Sequence, residues 1–246
     1  LTEVGAAFYE RCRRIVAEAE EAELAVTRLH AEPRGTLRVN LPMSFGMIHM
    51  ADALPDFMAA YPEISLDVTL DDRVVNVVDE GYDVVIRITD LPDSSLIARR
   101  IAPFRIATCA SSAYWDAHGR PKHPGDLRNH ACLLYSYLSN LNEWRYRGPD
   151  GPFAVRVDGP MRGNNGDLLR AAAVAGLGVV RSPTFIVGCD LVEGRLEQVL
   201  AEYEDDDRGI YAVYPHNRHL SAKVRAFVDF MATRFADPIW LGMNVT

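Results

Sequence analysis

The stretch Thr36 to Gly46, TLRVNLPMSFG, restricts most tightly what this chain can become. Leu37, Val39 and Leu41 alternate with Arg38 and Asn40, the period of a strand whose two faces meet different surroundings. Pro42 ends that strand, and Ser44 stands just ahead of GMIHMADALPDFMAAYP, whose apolar spacing is helical. A strand that turns directly into a helix leaves free backbone N–H groups and the positive end of the helix dipole at the turn. Such a turn suits a carboxylate or phosphate. Ser44 therefore has two open readings, a cap of the helix or an anchor for a ligand.

The pattern then repeats. Ile64, Leu66, Val68 and Leu70 alternate as a second strand, and Asp71-Asp72 are placed to cap a short helix, RVVNVVDE, ending at Gly81. Asp83 to Ile88 is a nearly continuous apolar run, as in a buried parallel strand. Strand, helix, strand, helix, strand predicts a doubly wound α/β lobe. Leu96 to Cys109, with Pro103 inside it, reads as an extended segment crossing into a second lobe, followed by a loop-rich interval from Tyr114 to Asp126. Cys132 to Tyr137 is a buried strand, and Trp144–Tyr146 with Phe153–Val157 form a hairpin around Gly148-Pro149-Asp150-Gly151. RGNNGDLLRAAAVAGLGVV gives a second strand-to-helix mouth, with Asn164 or Asn165 at its helix start. Gly176-Leu177-Gly178 follows a helix and is a C-cap, not a dinucleotide loop. Gly209 to Pro215 crosses back as a strand, and Ser221 to Phe235 closes the chain as a helix. The expected fold is α/β, with two doubly wound lobes, two crossovers and a cleft where both mouths open.

A different pattern precedes the lobes. Leu1, Gly5, Phe8, Cys12, Ile15, Ala19, Ala22, Val26 and Leu29 are spaced in steps of four and three, with charged residues between them. This is a two-stranded coiled-coil seam, so a long N-terminal helix is expected to pair two chains. Pro33-Arg34-Gly35 breaks it. The expected division is a linker and dimerisation helix over 1–31, a first lobe from 36–102 plus 208–236, and a second lobe over 103–207.

A net charge of −8 is the wrong sign for a chain that grips nucleic acid by itself. No run approaches the roughly 18 apolar residues of a membrane span, and no signal peptide opens the chain, although it starts at Leu1. Cys12, Cys109, Cys132 and Cys189 lack ligand spacing and are expected as buried free thiols in a reducing compartment. His216 and His219 are three apart without an evident third metal ligand, and His118, His123 and His130 fall in polar loops. With no GxSxG, HExxH or Walker pattern, the expectation is a binding protein, not an enzyme, with no cofactor or metal.

Four blocks carry a resemblance: GTLRVNLPMSFG, YPEISLDVTLDDRVVNVVDEGYDVVIRI, NNGDLLRAAAVAGLGVV and IYAVYPHNRHLSAKVRAFVDF. In this order they resemble the LysR-type transcriptional regulators over nearly the whole chain, and LTEVGAAFYERCRRIVAEAEEAE resembles that family's linker helix. The family's winged helix-turn-helix precedes that helix, so the chain is expected to be a fragment without it. The resemblance implies a periplasmic-binding-protein type II-like fold in a cytoplasmic regulator. A small effector would bind between the lobes, and promoter DNA would be held through the absent N-terminal domain. It also implies a homodimer or homotetramer, with effector domains antiparallel through the Gly46–Tyr61 helix and the Ser65–Leu70 strand. An extracytoplasmic solute-binding protein and a pure oligomerisation module are the competing readings.

Ser44 matches the family's effector-anchoring hydroxyl. The second anchor falls at Asp71-Asp72, where many members carry a neutral hydroxyl residue, so these carboxylates cap a helix, pair with Arg87 or repel an acidic effector. Arg87, at a strand end, faces either a ligand carboxylate or a salt bridge to Asp71, Asp72 or Asp90. Asn165 at the second mouth, and Tyr135 and Thr184 near strand ends, complete the candidate ligand-binding set. Arg181 and Ser182 stand where the family is often apolar, which leaves the polarity of the pocket open.

Overall fold

A computed structural model of the chain describes residues 5, 8–9, 11–16, 32–88, 96–137, 142–204, 208–215 and 221–242. The helical N-terminal segment is seen at residues 5, 8–9 and 11–16, and the rest of the Leu1–Leu29 seam lies outside the described residues. A long coiled-coil helix is therefore not established. His216 and His219 also lie outside the described residues, as does Asp90.

Strand β1 (Gly35–Leu41) forms where alternation was expected and pairs in parallel with β2 (Ile64–Leu70) and β3 (Val84–Ile88). Helix α1 follows at once: it opens as Met43–Phe45, makes a π turn over Gly46–Met50 and continues as Ala51–Ala60. A Cβ at Gly46 would meet Leu70 Cδ2 at 2.5 Å, so any larger residue there would have to turn the Leu70 side chain aside. β4 (Leu96–Phe104) leaves the first sheet, and after Arg105 the chain continues as β5 (Ile106–Ala110) in the second. The expected crossover is thus one extended segment that changes sheets at a single residue.

The second sheet takes β6 (Cys132–Tyr135), the two-residue β9 (Arg162–Gly163), β10 (Val179–Pro183) and β11 (Glu197–Val199), in the order β11-β5-β10-β6-β9. β7 (Glu143–Gly148) and β8 (Gly151–Arg156) form the expected hairpin, with Gly148 opposite Gly151. β12 (Arg208–Pro215) returns to the first sheet antiparallel to β3 and β4, giving the order β2-β1-β3-β12-β4.

Two expectations about local structure fail. His118 does not fall in a loop: within the loop-rich interval from Tyr114 to Asp126 it ends α2 (Ser112–His118), capped by Ser111, whose side chain accepts from the Tyr114 N–H. Conversely, no helix forms over RVVNVVDE. Val74, Val75, Val77 and Val78 are poor helix formers, and the segment's carbonyls are engaged elsewhere. Arg87 Nη2 donates to the Val75 carbonyl at 2.6 Å and Nη1 to that of Arg73 at 3.3 Å.

Helices α3 (Gly166–Val174), α4 (Thr184–Val192) and α5 (Ala222–Arg234) cover the sheets. Leu37, Val39, Leu41, Phe57, Phe227 and Met231 form the centre of the first core, each fully buried. Cys109 and Cys132 are buried as expected, and burial pushes the Cys132 thiol up to about 12. Cys189 is exposed and Cys12 half-buried, which corrects the expectation of four buried thiols. Among the described residues no helix is long and apolar enough to cross a membrane, and no group of side chains could hold a metal ion.

Candidate functional site

The two sheets face each other across a cavity of about 600 Å³. Its walls come from the end of β1, the 71–77 segment, β3, the crossover strands, β10 and the starts of α3 and α4. The polar rim on the side of the first sheet is built around Ser44. This residue does not cap α1, because Pro42 occupies the cap position and Ser44 lies within the first turn. The capping role falls to Asp72, whose Oδ1 accepts from the Met43 N–H at 2.8 Å. Ser44 is thereby left buried, 5% exposed, on the cavity wall with no partner for Oγ. Opposite it, a Cβ at Gly166 would come within 3.4 Å of that oxygen and 2.6 Å of Ile186, so glycine sets how closely α3 approaches.

Asp71 and Asp72 sit side by side in different states. Burial works against an ionised Asp71, but the Arg73 N–H at 2.9 Å and its guanidinium at 2.5 Å hold the carboxyl below its usual range. Burial raises Asp72, with Asp71 and Asp167 adding like charge, while the Met43 N–H and the Tyr135 hydroxyl act the other way. Burial and the same Asp72 carboxylate raise the Tyr135 phenol. Since Tyr135 ends β6 and Asp72 follows β2, this contact joins the two sheets. A second tie is His49 Nε2 against the Phe185 carbonyl at 2.9 Å, where burial lowers the imidazole's pKa.

Arg87 lines the cavity, and of its expected counter-ions Asp90 lies outside the described residues. Its fork holds backbone carbonyls, with no salt bridge to Asp71 or Asp72 among the described residues. Asn165 caps α3, its side chain accepting from the Leu168 N–H at 3.0 Å, and it is absent from the cavity wall. Thr184 is 4% exposed with Oγ1 unpartnered, yet it too lies off the wall. Of the seven candidates, Ser44, Asp71, Asp72, Arg87 and Tyr135 converge on the cavity.

Sequence reasoning missed a buried polar network on the other side. Arg181 of β10 donates to Glu204 from Nη2 at 2.6 Å and from Nε at 3.2 Å, with side chains only 10% and 3% exposed. Thr108 Oγ1 donates to the same carboxylate at 2.7 Å, so the Tyr146 hydroxyl, 2.9 Å away, must donate to Thr108. Burial raises Glu204 against the pull of Arg181, Thr108 and Arg208. Arg208 begins β12, lines the cavity, and has a buried Nε with no partner.

This arrangement matches known proteins. Residues 30–236 fit the LysR substrate binding domain family. An HTH-type transcriptional regulator of Haemophilus influenzae is 34% identical over 223 residues, 91% of this chain and 77% of that protein. The HTH-type transcriptional regulator DmlR of Escherichia coli is 34% identical over 238 residues, covering 96% and 77%. The solved structure of CrgA, a LysR-type transcriptional regulator from Neisseria meningitidis, superposes with a TM-score of 0.74 at 29% identity, covering 96% of this chain and 81% of that one. These relatives are transcriptional regulators, not enzymes.

Proposed function

Because the chain belongs to the LysR substrate binding domain family, we propose that its cavity is the effector site of a cytoplasmic bacterial transcriptional regulator. The observation that carries this reading is Ser44: a buried hydroxyl without a partner on the wall of a roomy cavity, at the first strand-to-helix junction. A buried hydroxyl left unpaired costs stability, and a small polar ligand would supply its partner. The units expected to move are residues 36–102 with 208–236, and residues 103–207. An effector shifts their closure only if it binds one closure state better than the other. The Asp72–Tyr135 and His49–Phe185 contacts span the same boundary and give closure something to make or break. The solute-binding alternative draws no support from the relatives named above, which are transcriptional regulators.

The test is thermal unfolding against a panel of small organic acids, amines and aromatics. A ligand at a hundred times its dissociation constant adds ~2.7 kcal/mol, which is roughly 5–10 °C for a domain of this size. Ser44→Ala should weaken that ligand about fivefold, the loss of one hydrogen bond. No shift with any compound would count against an effector site, and an unaffected Ser44→Ala would move it elsewhere.

Assembly belongs to the same reading. Phe8 is 69% exposed and Ile15 62% exposed on the N-terminal helical segment, as a partner helix requires. β2 ends its sheet, and beside it Met47, Met58 and Val68 are exposed. We expect the helix to pair chains and the α1–β2 face to join such pairs into tetramers, bringing DNA-binding heads under the control of the cavity. Phe8→Glu should lower the mass seen by light scattering, whereas an unchanged mass would exclude the helix as an interface.

A further inference from the structure

Among the described residues, two polar atoms on the cavity wall are buried without a partner: Ser44 Oγ and Arg208 Nε. Ser44 carries the reading above, but Arg208 has no part in it. It opens β12, opposite Phe104 of β4, where the chain rejoins the first sheet. A guanidinium N–H enclosed without an acceptor is a standing cost, which an acceptor arriving with a ligand removes.

The neighbouring charges specify what kind of acceptor. Arg181 and Glu204 form a two-bond ion pair and cancel, so these three side chains leave one positive charge, that of Arg208. The same lining combines apolar Ile86, Ile88, Phe104, Ile106, Val180 and Val213 with Asp71, Asp72 and Arg87, the last with its fork held by backbone carbonyls. A neutral carbonyl would satisfy an N–H yet leave the charge uncompensated in those surroundings. A dianion would bring a surplus negative charge toward Glu204. A carboxylate fits both the single charge and the planar fork of arginine.

We infer that the cavity takes an apolar-bodied monocarboxylate, that Arg208 recognises its charged end, and that Ser44 bonds a polar atom of the bound molecule. This rests on the cavity being an effector site. It adds the chemical class of the ligand and the residue that selects it.

The experiment compares phenylacetate, cyclohexanecarboxylate and hexanoate with their primary carboxamides, by thermal unfolding and calorimetric titration of the whole chain. At least one carboxylate should bind roughly tenfold or more tightly than its amide, the scale of one charge-assisted hydrogen bond. Arg208→Gln, which keeps an N–H donor but no charge, should reduce that carboxylate to about the affinity of the amide while changing the amide far less. Arg208→Lys, which keeps the charge without the fork, should fall between and guards against a folding defect in the glutamine variant. Amides that bind as well as the acids, or a carboxylate indifferent to Arg208→Gln, would overturn the inference while leaving the cavity an effector site. No binding by any of the six would also overturn it, and shifts from amines or neutral aromatics alone would show that the effector reading still stands.

Discussion

Glu204→Ala is expected to destabilise the fold by about 3–5 kcal/mol, because it leaves a buried arginine charge without its counter-ion. Arg181 is held between Glu204 and the face of Tyr146, with its guanidinium carbon 4.9 Å from the ring centroid. The ring cannot replace a carboxylate that accepts from both Nη2 and Nε. Thr108 would lose its acceptor as well, and through it the Tyr146 hydroxyl would lose its orientation. Urea unfolding would measure the loss. The double variant Arg181→Met, Glu204→Leu is the informative control, since replacing a buried pair with apolar side chains is often neutral or better. A single-variant cost under about 1 kcal/mol would mean that water reaches Arg181 and that the pair behaves as a surface contact.

That pair shows why half of the site was hidden in the sequence. Glu204 sits in AEYEDDDRG, one acidic residue among five, and no local pattern separates it from Glu202 or Asp205. Its partner is 23 residues away, on a strand whose identity gave no reason to expect a buried charge. Arg208 closes the same run and looks like its solvated end. Ser44, by contrast, was legible because a strand ending at proline before a helical run fixes where its side chain must be. Its role still had to be read from structure: Asp72 reaches across from another strand to cap α1 and releases Ser44 to the cavity.

The fold divides along the same line. Strands announced themselves by alternation, as in β1 and β2, which pair in register from Gly35 opposite Ile64 to Leu41 opposite Leu70. The hairpin was marked by its turn residues. What failed was the segment after Asp72, where capping chemistry and a helical length suggested a helix. The carbonyl acceptors of Arg87 and the bonds from Arg73 to Asp71 and Glu80 hold that chain in another shape. These are tertiary demands, and β-branched valines offer little helix propensity to resist them.

Phe45→Ala should be the most damaging change at the junction of the two sheets, with a loss of about 3–5 kcal/mol, as for other buried aromatic truncations. Phe45 is fully buried in the first turn of α1. Its ring lies 5.5 Å from Phe185 and Phe235, 5.6 Å from His49 and 5.8 Å from Trp240. Phe185 belongs to α4 of the second sheet, whereas Phe235 and Trp240 come from the C-terminal segment after α5, so one side chain joins three parts of the chain. Trp240 is itself fixed by its indole N–H donating to the Pro103 carbonyl at 2.9 Å, beside the crossover. Removing the ring opens a void among close-packed aromatic side chains, which refill such a space only in part. At roughly 2–4 °C per kcal/mol for a chain of this length, the melting temperature should fall by about 6–20 °C. Phe45→Leu should lose much less, about 1–2 kcal/mol, by keeping most of the volume. Because Phe45 also lines the cavity, ligand binding to Phe45→Leu should weaken while the fold persists. A melting temperature unchanged in Phe45→Ala would mean that the aromatic cluster does not hold the two sheets together.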